Sequence, residues 1–138
     1  MSCDFGVWYP DKQLTHDEAG VRYARLCDSQ VEGEVVDHPS VGAFYAELTS
    51  RHPEIDDVPD DRVDDTLYCP WSVAMDRSGG HVLMACVWSR AEYVRGLVHE
   101  VARKHGLAVF DPQQGRIFYP DSPEPRESAR RPWWKVWA

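Results

Sequence analysis

The sequence has no C-x-x-C pair, no G-x-S-x-G turn, no apolar run of about 18 residues and only three lysines among its 138 residues. Each absence excludes something. Without an 18-residue apolar run no membrane span is expected. The four cysteines at 3, 27, 69 and 86 fit no common zinc spacing, so neither a zinc ribbon nor a thioredoxin-type redox site is expected. Without a nucleophile elbow, and without a cysteine capping a helix beside a histidine, covalent catalysis has no signature. The opening MSCDFGVWYPDK lacks a basic segment followed by an apolar stretch, so no secretory signal is expected and the reducing cytoplasm is the expected location. Free thiols then outrank disulfides. Basic residues are scarce relative to acids, 15 against 23, and the formal charge is −8. Nucleic acid is therefore not an expected partner, since affinity for it comes from Lys and Arg on phosphates. A basic protein is compatible.

The length suits one domain, and 43% hydrophobic residues suit a packed core. CDFGVWYP alternates and reads as a first strand. LTHDEAGVRYARLC opens with a capping box, Thr15 and Glu18, and places Ala19, Tyr23, Leu26 and Cys27 on one helical face. After a connector, Ser40 caps a second helix with Val41, Phe44, Tyr45 and Leu48 inward, stopped by Pro53. WSVAMD and HVLMACVW read as a hairpin about the turn RSGG, the second arm buried on both faces. The strongest helix follows. Ser89 and Glu92 form its capping box, and Ala91, Val94, Leu97, Val98, Val101 and Ala102 its stripe. Gly106 suits its C-terminal end. LAVF and RIFYP are short final strands. The fold class predicted is α+β, a ferredoxin-like βαββαβ sandwich with an extra helix in the first crossover and a C-terminal tail. The rival is another α+β sheet with both long helices on one face. Residues 1–120 form the domain, and 121–138 a polar linker and Trp-rich tail.

Two stretches echo each other as Cys-x-Trp-Ser, around Cys69 and Cys86. They read as cross-strand core packing, with Trp71, Cys86 and Trp88 on one face. Metal ligation by the thiols is not expected. HEVARKH begins like a zinc-protease helix, but His99 and His105 are six apart, about 240° around a helix, and cannot share a metal there. An exposed His99 and a helix-end His105 are expected. No metal and no cofactor are predicted.

The most unusual segment is PEIDDVPDDRVDDT, with seven acids and one arginine. Asp56, Asp57, Asp60, Asp61, Asp64 and Asp65 recur in pairs every four residues. The segment lacks the alternating ligands and bend glycine of an EF-hand loop. It reads either as a docking surface for a basic partner or as a solvated loop. Trp133, Trp134 and Trp137 in the tail, beside Arg130, Arg131 and Lys135, either meet a partner or fold back over the sheet.

FYAEL with PEIDD, then HVLMACVWSRAE and HGLAVFDPQ, resembles a family of small uncharacterised bacterial proteins over residues 40–113. The resemblance implies no catalytic residue. Such proteins loosely resemble the immunity partners of bacterial toxins. The function expected is thus a cytosolic protein-binding module, immunity-type or regulatory, that neutralises a basic partner through an acidic surface. The alternative is a small-molecule binder or enzyme with a pocket on the open sheet face, lined by Trp8, Trp71 and Tyr119 with Asp111 as its polar group. A non-enzyme is favoured.

Overall fold

A computed structural model describes residues 2–121. The predicted tail, including Trp133, Trp134 and Trp137, lies outside the described residues.

The architecture is α+β. Five strands, β1 (Ser2–Trp8), β2 (Asp76–Arg77), β3 (His81–Val87), β4 (Ala108–Asp111) and β5 (Arg116–Phe118), form one sheet in the order β2-β3-β1-β4-β5. Every neighbouring pair is antiparallel. Three helices complete the domain: α1 (His16–Cys27), α2 (Pro39–Arg51) and α3 (Ala91–Lys104).

Alternation along the strands decides which helix lies where. Phe5 and Val7 of β1, Val82 and Met84 of β3, and Val109 of β4 point to one side. There they meet Val41, Phe44 and Leu48 of α2 and Val94, Leu97, Val98 and Val101 of α3. Trp8, Leu83, Ala108 and Phe110 point the other way and meet Ala19 and Leu26 of α1. The sheet is thus helix-covered on both faces, three layers rather than a two-layer sandwich. Each fully buried aliphatic or aromatic side chain contributes roughly 1.5–3 kcal/mol. β3 is buried on both sides because it lies between β1 and β2 in the middle of these layers.

α1 begins with the expected capping box: Glu18 N donates to Thr15 Oγ1 at 3.1 Å, and Thr15 N to Glu18 Oε1 at 2.9 Å. Its buried face carries Ala19, Arg22 and Leu26, while Cys27 is exposed. Arg22 reaches out of that face to Asp11 at 3.0 Å and lies over the Trp8 ring. α2 is capped by His38, not Ser40. His38 is extended, its Nδ1 accepts from Ser40 N at 3.1 Å, and Pro39 takes the first helical position. Proline is suited there because its missing N–H would be orphaned anyway.

α3 lacks the expected Ser89–Glu92 box. Trp88–Arg90 winds as a 3-10 turn and Arg90 stands at the N-cap with no side-chain cap. Ser89 sits inside that turn, without the extended backbone a capping residue needs. The predicted stripe of α3 is buried throughout, and His99 joins it instead of facing solvent. His99 meets Phe118 edge-on at 5.0 Å.

The first arm of the predicted hairpin is mostly not a strand. Trp71 makes one bridge to Cys86, flanked by Ser72 N on Ala85 O at 2.9 Å and Val87 N on Pro70 O at 2.8 Å. The chain then leaves the ladder, because Met75 N is held by the Glu54 carboxylate at 2.8 Å, and rejoins it at Asp76. Trp71 and Cys86 are buried core neighbours as expected, but Trp88 is 53% exposed.

Candidate functional site

The acidic segment connects α2 to Trp71, and its two ends are pinned. Trp71 Nε1 donates to His52 O at 3.0 Å, and Cys69 Sγ to Pro53 O at 3.3 Å. Glu54 accepts from the Tyr45 hydroxyl and from Met75 N. The bond to Glu54 holds the Tyr45 phenol above its ordinary pKa. Ile55 and Val58 pack on the core on either side of the first acidic pair. Two 3-10 turns, Ile55–Asp57 and Asp60–Arg62, close through Asp57 N on Glu54 O and Arg62 N on Pro59 O, both 2.9 Å.

This framework separates the six predicted aspartates. Asp56, Asp57, Asp60, Asp61 and Asp64 are exposed. Asp65 is half-buried and built in. It takes Arg62 Nη2 at 3.1 Å, Leu67 N at 3.1 Å and Tyr68 N at 3.2 Å. The Arg62 bond, then the backbone donors, hold its carboxyl below the usual range. Arg62 in turn lies over the Tyr68 ring at 4.1 Å. The lone arginine of the segment is therefore spent inside it, and five carboxylates face water around a fixed backbone. Asp56, Asp57, Asp60, Asp61 and Asp64 share no hydrogen bond or ion pair with another side chain among the described residues.

Sequence reasoning missed the apolar residues beside them. Val63 is 51% and Leu67 69% exposed within the segment. Trp88 and Tyr93 are exposed where α3 begins, and Arg90 ties that turn to the segment through Nε on Thr66 O at 3.2 Å. Large exposed side chains ringed by charge are the anatomy of an interface core and rim. The signal in the sequence was Trp88 directly after the buried strand, which the Cys-x-Trp-Ser echo disguised as core.

The residues of the alternative pocket fall on two sides of the sheet. Trp8 and Tyr119 belong to the α1 cluster, and Trp71 to the α2–α3 cluster. Tyr119 Oη accepts from Leu14 N at 2.6 Å. Asp111 is fully buried and engaged by Arg95 Nε at 3.1 Å, Gln113 Nε2 at 2.7 Å and Gln114 Nε2 at 3.1 Å. Its oxygens close the turn between β4 and β5.

Cys3 and Cys86 are paired across β1 and β3, and both are buried. Burial, then Cys3, pushes the Cys86 thiol up to about 12, and burial raises Cys3 and Cys69 as well. Neutral thiols at these positions pack as small apolar groups. No group of three or more His, Cys, Asp or Glu is placed to hold a metal among the described residues. No helix among them is long and apolar enough to cross a membrane. No family model matches the chain, and neither a curated protein nor a solved structure matches it.

Proposed function

We propose that the chain is a protein-binding module that takes a basic protein on its acidic segment, in the manner of an immunity-type or regulatory protein. One observation carries the reading: five exposed aspartates on a pinned backbone, with Leu67 and Trp88 exposed beside them. A rigid display loses little conformational freedom when it is occupied. The carboxylates steer a cationic partner and repel acidic competitors, while the apolar residues supply the contact that excludes water. Asp65 serves this surface by holding its shape.

The expected test is a fourfold reversal, Asp56→Lys, Asp57→Lys, Asp60→Lys and Asp61→Lys. It is measured by surface plasmon resonance against a partner purified from the native cell. The association rate should fall about tenfold or more at low salt, and its salt dependence should flatten. An unchanged rate and affinity would sink the reading.

We infer further that the frame is a ferredoxin-like βαββαβ plan. The support is that β1 reaches β2, and β3 reaches β4, by helical crossovers that each skip one strand. On this reading α1 is the extra helix of the first crossover and β5 an added edge.

A further inference from the structure

The chain runs on past the described residues, and its composition there turns. Residues 128–138 hold Arg130, Arg131 and Lys135 and no acid, although the whole chain carries a formal charge of −8. Trp133, Trp134, Val136 and Trp137 stand beside these cations. Indole rings have much area to bury, and Trp and Arg lead the energetics of docked segments. Such a segment fits a surface that is acidic and has apolar ground between its acids.

The described residues offer that ground where the segment begins. A groove of about 540 Å³ lies where the C-terminal end of α2 meets α3, lined among others by Glu92, Tyr93, Gly96, Leu97 and Glu100. One end of the groove holds the start of the tail. Arg103, also in its lining, donates from Nε to Pro120 O at 3.0 Å. The other end meets the acidic segment. Arg90 lies over the Tyr93 ring and donates to Thr66 O at 3.2 Å. His52 stands 3.0 Å from Tyr68 O and 2.8 Å from Tyr93 Oη. Leu67 and Tyr93 are both exposed at this end.

The groove's arginines are already engaged, Arg51 by Glu47 at 3.1 Å and Arg103 by the Pro120 carbonyl. Glu92 has no ion pair among the described residues. Glu100 lies 3.9 Å from Arg51, with its side chain 67% exposed. Carboxylate is therefore what the groove has to offer. Its floor is open at Gly96. Glycine is a poor helix residue, and a Cβ there would meet nothing within 4 Å, so packing does not call for it.

Reach is ample. From Arg103 to Tyr93 is about 15 Å along α3, at 1.5 Å per residue. Residues 121–129 span up to about 30 Å when extended. A short tether sets an effective concentration on the order of millimolar, which favours the chain's own segment over a second copy's in dilute solution.

We propose that segment 130–137 docks in cis along this groove, its indoles over Gly96 and against Tyr93 and Leu67, its cations on Glu92 and Glu100. Shielding Leu67 from a basic partner rests on the reading given above; the docking itself does not.

The test is zero-length carbodiimide coupling of the full chain, which joins an amine to a carboxylate it touches. The chain has three lysines, Lys12, Lys104 and Lys135. Lys104 lies 2.8 Å from Glu47, so their link is the internal standard. Monomer is digested and read by peptide mass. Lys135 should be joined chiefly to Glu92 or Glu100, at a yield independent of protein concentration. Gly96→Leu fills the groove floor, and the triple change Trp133→Ser, Trp134→Ser and Trp137→Ser removes the indoles. Each should cut the Lys135 yield about fivefold or more and leave the Lys104–Glu47 link unchanged. The proposal is overturned if Lys135 joins no carboxylate, joins others in preference, or joins all without preference while the standard forms. Lys135 links confined to covalent dimers assign the groove to a second copy and overturn docking in cis. A Lys135 yield that survives the triple change overturns it too, since tethering alone then explains the link. None of these outcomes needs a partner, so a failed partner assay leaves the docking standing, and failed docking leaves the acidic surface standing.

Discussion

Asp64 and Asp65 are chain neighbours with opposite jobs. Asp65 closes a turn by accepting from Leu67 N, Tyr68 N and Arg62, whereas Asp64 faces water. Position in a repeated pair says little; the backbone donors within reach decide. Trp71 shows the same rule from the apolar side. It is 2% exposed and its indole N–H anchors the end of α2 through His52 O. Trp71→Ala should cost about 3–5 kcal/mol in chemical denaturation, mostly as a cavity. Trp71→Phe should cost less and loosen the acidic segment, seen as faster amide exchange over residues 54–69. Unchanged exchange over those residues in a folded Trp71→Phe chain would show that the indole bond holds nothing. The cysteine echo was half legible. Cys69, Trp71 and Cys86 are core as their alternation implied, but the 3-10 turn that exposes Trp88 has no mark in composition.

Among the elements, periodicity carried the most. α1 follows from its capping box, α3 from its stripe, β1 from alternation and β3 from its apolar run, because their local preference and their burial agree. The misses are ends and edges. His38 outcompeted Ser40 as a cap because its ring also stacks on Tyr9 at 4.0 Å, a partner distant in sequence. The arm at 71–76 departs from its strand because Glu54 captures Met75 N, again a distant partner. The turn before β3 depends on glycine for space. A Cβ at Gly80 would meet Val36 O at 2.7 Å, a backbone atom that cannot easily yield. Gly80→Ala should therefore destabilise the domain by about 1–3 kcal/mol. A thermal midpoint equal to wild type would show that the 35–38 connector gives way freely.

For the whole molecule, His81 and two bonded carboxylates, Glu47 and Asp65, respond to acid, all in the same direction. Burial lowers the pKa of His81 from 6.5, so the unfolded chain binds a proton more readily and stability starts to fall as pH drops below about 6.5. Glu47, bonded to Lys104 and then His105, is held at about 2 against an ordinary 4.5. Its contribution is present above 4.5 and is lost as pH falls from there toward 2. Denaturant midpoints should thus decline in two steps on acidification, and Glu47→Gln should flatten the lower one. A midpoint that rises between pH 6 and 3 would contradict both assignments. Charge and class were legible from composition, and so was the acidic segment. The pinning that turns it into a surface was not, since Tyr45, Trp71 and Met75 reach it only through the fold.

The proposed docking surface is tested most directly by its footprint. Hydrogen–deuterium exchange of the free chain, compared with the chain bound to a partner purified from the native cell, should show protection over residues 56–67 and at 88–90. The exposed face of α1 should be unchanged. Protection centred on α1 or β5, with residues 56–67 exchanging as in the free chain, would contradict the account.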